Sequence, residues 1–128
     1  GELPVLSVFG GDYPTPDGTG VRDYIHVSDL AQGHVLSLQA LERDGTGHVV
    51  NLGTGRGYSV LEVIAAYARA SNQHIPYKIA PRRPGDAASS YADPSLAKTL
   101  LGFEAKYDLH DMCRTSWMWM QNATQAMD

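Results

Sequence analysis

Short apolar runs alternate with longer amphipathic ones along this chain, and glycine- and proline-rich turns separate them. That alternation restricts the fold more than any other feature, because it fits strands and helices taken in turn, an α/β architecture. Val5 to Phe9 reads as a short strand, followed by a turn-rich loop from Gly10 to Gly20. Tyr24 to Val27 is a second candidate strand. Ser28 or Asp29 is expected to cap a helix running to about Leu41, with Leu30, His34, Leu38 and Leu41 on one face. His48 to Leu52 reads as a strand and Gly53 to Gly57 as a tight loop. Ser59 and Glu62 stand at the spacing of a capping box, which predicts a helix to about Ala70. Pro76 to Ala80 is a strand leading into a loop from Arg82 to Asp93. Pro94 opens a short helix that Gly102 ends, and Asp108 opens the last one. No internal repeat or low-complexity segment stands out.

Composition narrows the class. The 128 residues are 43% hydrophobic, enough for a packed core. A net charge of -4 argues against nucleic acid, since no basic stripe is there to release counterions. No apolar run approaches the roughly 18 residues of a membrane span, and no signal-peptide pattern opens the chain. The single Cys113 excludes a disulfide framework and fits a reducing cytosol; on the apolar face of the last helix it reads as an inert core thiol. Trp117 and Trp119 lie two apart, so one is expected in the core and one at an edge. His26, His34, His48, His74 and His110 are scattered without ligand spacing, so no metal site is expected.

Chemistry concentrates in two arginine-bearing segments. They are the run from Gly18 to Val27, which carries Arg22, and Arg82-Arg83-Pro84-Gly85-Asp86. A guanidinium suits phosphate because its planar fork donates two parallel hydrogen bonds and keeps its charge. Asp86, three residues after Arg83, is an acceptor suited to sugar hydroxyls. A sugar diphosphate is the natural ligand, although exposed arginines also form ordinary surface ion pairs. Gly53-Thr54-Gly55-Arg56-Gly57 invites comparison with a dinucleotide fingerprint. Its third glycine should fall at position 58, which is Tyr58, and no acid stands about 20 positions later. A tight strand-to-helix turn accounts for it better.

The stretch from Val8 to Val27, with Asp29-Leu30-Ala31, resembles the UDP-glucose (UDP-galactose) 4-epimerases. So do Asn51 to Gly55 with Tyr58-Ser59-Val60, and Arg82 to Asp86. The wider group is the extended short-chain dehydrogenase/reductases. The resemblance implies the carboxy-terminal, substrate-binding part of such an enzyme, residues 1–128 lacking most of the Rossmann domain. It also implies a cytoplasmic homodimer for the full-length protein. The family binds NAD through an amino-terminal glycine-rich loop and uses a tyrosine with a lysine four residues on. No tyrosine here has that lysine, so no catalytic or cofactor-binding residue is expected and the chain alone should be inactive. The first residues, from Gly1 to Phe9, read as the middle of a domain.

Carried over by position, the family's substrate pocket falls on seven residues. The backbone around Ser7 and Phe9 would bracket the uracil. Arg22 and Arg83 would clamp the diphosphate, Asp86 would accept from the ribose, and Val60 would touch the nucleotide. Ser90 would line the hexose space. Arg82 is a less certain phosphate ligand, because the family motif begins at Arg83, and Pro84 replaces a glutamate often found there. Two other readings stay open. One is another nucleotide-sugar reductase, such as a decarboxylase or a 4,6-dehydratase. The other is a non-catalytic nucleotide-sugar binding module.

Overall fold

Two small sheets and four helices make up residues 4–125, the part of the chain that the computed structural model describes. In chain order they are β1 (Leu6–Phe9), β2 (Val21–Asp23), α1 (Val27–Asp44), β3 (Gly57–Ser59), α2 (Val60–Ser71), β4 (Tyr77–Ala80), β5 (Ser89–Ser90), α3 (Ser95–Leu101) and α4 (Leu109–Gln125). The α/β expectation holds. β1 pairs in parallel with β4, which sets Ser7 opposite Lys78 and Phe9 opposite Ala80. β2 is the centre of the second sheet, antiparallel to β3 and parallel to β5.

Local chemistry explains where the helices begin and end. The capping box forms as its spacing predicts: Ser59 Oγ accepts from the Glu62 amide at 3.1 Å, and the Glu62 carboxylate accepts from the Ser59 amide at 2.7 Å. Gly102 ends α3 in the left-handed region at φ 66°, a conformation glycine adopts without strain. α1 starts differently from the prediction. Its cap is His26, whose Nδ1 accepts from the Ser28 amide at 3.0 Å. The Asp29 carboxylate is engaged elsewhere, accepting from the Lys106 and Tyr107 amides at 3.0 and 3.1 Å.

The core sets a further correction. Ala40, Ala97, Leu101 and Phe103 are buried together, with Ile25, Leu36, Val50 and Leu52 packed around them. α1 therefore buries Asp29, Gly33 and Ala40, while the expected face of Leu30, His34, Leu38 and Leu41 is exposed. Small residues decide the side, because they allow the closest approach. A Cβ on Gly33 would lie 2.6 Å from Leu52 Cδ1. The 48–52 segment, read as a strand, is unpaired among the described residues, and Val49 is 95% exposed. A strand needs a neighbour for its ladder, and here the segment lies over α1 instead. The Tyr24–Val27 strand is likewise displaced to Val21–Asp23, where β3 and β5 supply ladders. α2 packs on α4 with Ile64, Ala66 and Cys113 buried, and Trp117 meets Tyr67 edge-on at 6.4 Å while Trp119 is 67% exposed. Burial pushes the Cys113 thiol pKa up, consistent with an inert core residue.

Candidate functional site

β2 sorts its side chains by alternation. Arg22 lies between Tyr58 of β3 and Ser90 of β5 in register, so these three share one face of the sheet. Val21 and Asp23 belong to the other face. Arg22 donates from Nη1 to its neighbour's carbonyl, Val21 O, at 2.7 Å. The Val60 amide donates to Gly20 O at 3.1 Å, which holds the first residue of α2 beside the Arg22 strand.

The second arginine belongs to the other sheet. Arg83 follows β4 in a turn, and its Nε donates to Asp86 Oδ2 at 2.9 Å. The turn needs Gly85, at φ +86°, and closes with Asp86 N donating to Arg83 O at 3.3 Å. The Arg83 guanidinium stands 4.9 Å above the Phe9 ring, a cation–π distance. Phe9 and Ser7 are two apart on β1 and so share a side. Both line a cleft of about 610 Å³ between β1, the segment from Ser71 to Pro76, and Tyr67 and Trp117. Ser7, Phe9, Arg83 and Asp86 therefore form one group, and Arg22, Val60 and Ser90 another. Arg22, Val60 and Ser90 lie outside that cleft.

Adjacent Arg82 has a different task. Its Nε donates to Asp12 Oδ1 at 2.6 Å and its guanidinium lies 4.1 Å over the Tyr13 ring, so it holds the 10–20 loop. The same loop is fastened from its other end. Asp17 accepts from the Thr19 amide at 2.9 Å, from Thr19 Oγ1 at 2.7 Å, and from the Ser59 hydroxyl. Partial burial alone would raise the Asp17 pKa, but the Ser59 and Thr19 hydrogen bonds outweigh it and hold the pKa below the ordinary 3.8.

Asp23 is the residue that sequence reasoning missed. Its carboxylate accepts from the Thr54 amide and hydroxyl, the Gly55 amide and the Ala92 amide. The Thr54 and Gly55 amides are among those a glycine-rich turn would aim at a pyrophosphate. The 53–57 turn therefore does not fit a dinucleotide: these two amides face an internal anion, and the Arg56 amide donates to Thr54 Oγ1. A signal was present in the neighbouring glycines. Gly53 is glycine because a Cβ there would meet Asp23 Oδ2 at 2.5 Å. Among the described residues no group of three or more His, Cys, Asp or Glu could hold a metal, and no helix is long and apolar enough to cross a membrane.

The α/β fold is that of a part of an extended short-chain dehydrogenase/reductase. Residues 11–116 match the family profile described as GDP-mannose 4,6 dehydratase, and the chain belongs to that family. Within it, the chain is similar to the carboxy-terminal part of UDP-glucose 4-epimerases. It is 59% identical over 120 residues to the UDP-glucose 4-epimerase of Neisseria gonorrhoeae, a match covering 94% of this chain and 36% of that protein. The UDP-glucose-4-epimerase from Stenotrophomonas maltophila, solved with bound NAD and formylated UDP-arabinopyranose, superposes with a TM-score of 0.94. That match has 53% identity and covers 98% of this chain and 37% of the other. The enzyme from Bifidobacterium longum, solved with NAD+ and UDP, gives 0.91 at 53% identity, covering 97% and 37%. The chain thus spans a little over a third of the length of these relatives.

Proposed function

We propose that residues 1–128 are the carboxy-terminal nucleotide-sugar-binding portion of a larger UDP-hexose 4-epimerase. The observation that carries this reading is the Phe9–Arg83–Asp86 group beside the Ser7 cleft. There an aromatic ring, a guanidinium suited to phosphate and a carboxylate suited to sugar hydroxyls stand together. Arg83 and Arg22 would take the diphosphate, Asp86 the ribose, Ser7 and Phe9 the uracil, and Val60 the nucleotide. The Arg83–Asp86 pair is exposed enough to open toward a ligand, since the arginine side chain is 62% accessible. NAD would be held by the rest of the parent, because the turn at 53–57 does not fit it. The apolar row Val27, Leu30, Leu38 and Leu41 on α1 is surface that the parent's amino-terminal part would cover. The chain alone would accordingly interconvert nothing.

Inverting C4 requires the nucleotide end to be held tightly and the hexose loosely, so that the sugar can turn between two orientations. Binding energy far from the reacting carbon keeps the oxidised sugar from leaving. Ser90 would be the hexose wall. It shares the face of Arg22, whereas Tyr91 packs on the opposite face, 3.2 Å from where a Cβ on Gly57 would lie. A small wall leaves room for an N-acetyl group at C2. The complete enzyme would therefore act on UDP-N-acetylglucosamine and UDP-N-acetylgalactosamine as well as on the plain pair. Ser90→Tyr should remove the acetylated activity and keep the other; retention of both would exclude Ser90 as the wall. Because the matched family profile is described as a dehydratase, product analysis with UDP-galactose is the deciding assay. UDP-glucose supports the epimerase, and a 4-keto-6-deoxy product supports the dehydratase.

A further inference from the structure

Asp23 is the immediate neighbour of Arg22, yet its carboxylate serves the other side of the sheet. Each oxygen lies 3.1 Å from the Thr54 amide. Oδ1 also accepts from Thr54 Oγ1 at 2.6 Å, and Oδ2 from the Gly55 and Ala92 amides at 3.0 and 3.3 Å. The donors come from two separate segments. One is the turn that leads into β3, and the other is at Ala92, two residues past Ser90. They close in tightly: a Cβ on Gly53 would lie 2.5 Å from Asp23 Oδ2 and 2.6 Å from the Ala92 methyl. An anion accepting several amide hydrogen bonds makes stronger contacts than a neutral acceptor could.

We infer that Asp23 is a positioning residue for the hexose end of the site. By gripping Ala92 and the Gly53 turn at once, it fixes where Ser90 stands relative to Arg22. This rests on the reading of Ser90 as hexose wall and Arg22 as phosphate ligand. Of the nucleotide end, Phe9, Arg83 and Asp86 are built on the other sheet, and Arg22 is held by its own ladder to Tyr58 of β3, so none of these contacts runs through this carboxylate. Asp23 therefore separates two properties that a general loss of stability would move together. They are affinity for UDP, which lacks a hexose, and turnover of a UDP-hexose.

The test uses the complete parent enzyme as wild type, Asp23→Asn and Thr54→Val. UDP affinity and the number of UDP-binding sites come from calorimetry, and UDP-galactose kinetics are expressed per binding site. Asparagine turns an amide donor toward donors that the carboxylate accepted. Valine leaves the Thr54 amide in place and removes the 2.6 Å hydroxyl bond to Asp23, the 3.2 Å one to Arg56 O, and the acceptor for the Arg56 amide. For Asp23→Asn, kcat/KM per site should fall about tenfold or more while the UDP Kd stays within about threefold. Thr54→Val should move the same way by roughly threefold, and it decides the matter if Asp23→Asn does not fold. Unchanged kinetics per site in the folded variants would overturn the inference, and so would UDP affinity falling in step with kcat/KM. A wild-type parent that neither binds UDP nor interconverts hexoses would sink the underlying reading, and the inference with it.

Discussion

Each arginine expected to hold phosphate comes with an aspartate, and the two pairs are built in opposite ways. Asp23 turns away from Arg22 and accepts from two loops, leaving the arginine with a backbone carbonyl as its partner. Asp86 instead faces Arg83 across a four-residue turn, with the arginine side chain 62% and the aspartate side chain 26% accessible. The first acid belongs to the framework, and the second stays in an accessible ion pair. An exposed ion pair contributes little to stability and exchanges its partner readily. A half-buried carboxylate with four donor groups cannot be removed without stranding amides. Identical residue types therefore divide into a fixed acid beside Arg22 and an accessible, adaptable pair at Arg83.

Neutralising each acid in turn should expose that contrast most strongly. In the complete protein, Asp23→Asn should cost about 2–4 kcal/mol of unfolding free energy, since several amides lose a charged acceptor. Asp86→Asn should stay within about 0.5 kcal/mol of wild type. Urea unfolding of both variants gives the comparison directly. Equal losses would mean that the Arg83 turn is framework too, and the division between the two ends would not stand.

Ligand affinity sharpens the same contrast. Arg83→Ala and Arg22→Ala should each weaken UDP binding by roughly 10- to 100-fold, the worth of a hydrogen bond to a charged group. Lysine at either position should recover only part, because it lacks the fork. Arg82→Ala should change UDP affinity by less than about threefold, since Arg82 holds Asp12 and Tyr13 instead. Calorimetric titration with UDP ranks the three. An Arg82 effect as large as that of Arg83 would move the phosphate site by one residue.

Local signals in the sequence carried the helix ends, because capping is a matter of three or four neighbouring residues. Ser59 with Glu62, and Gly102 after Leu101, behave as their spacing indicates. The Arg83–Asp86 pair was legible for the same reason. What failed depended on partners distant in the chain. The buried side of α1 is offset by one residue from its leucine row, because Gly33 must admit Leu52 and Ala40 must meet Ala97 and Phe103. β5 is two serines inside an apparent loop, and only the ladder to Val21 and Arg22 makes it a strand. Asp23 takes its donors 31 to 69 positions away, beyond any local pattern. Arg22 and Ser90 were each singled out, but their shared face is a property of register, which a sequence alone leaves open.

The smallest expected effect concerns pH and the loop that Arg82 and Asp17 fasten. Asp17 has a folded-state pKa below the ordinary 3.8, because the Ser59 and Thr19 hydrogen bonds favour the charged form more than burial disfavours it. A depressed folded pKa adds stability that is complete above the unfolded value and is lost as pH falls through the folded one. The window is therefore at and below about pH 3.8. Asp44, Asp93 and Asp111 also have lowered pKa values and titrate in the same range, so the Asp17 contribution must be read as a difference. Asp17→Asn should be less stable than wild type at pH 6, and the gap in urea midpoint should narrow when both are measured near pH 3. The remaining carboxylates cancel in that subtraction, since they are common to both proteins. A gap that stays constant from pH 6 to pH 3 would show that the Asp17 charge contributes nothing to holding the 10–20 loop against α2.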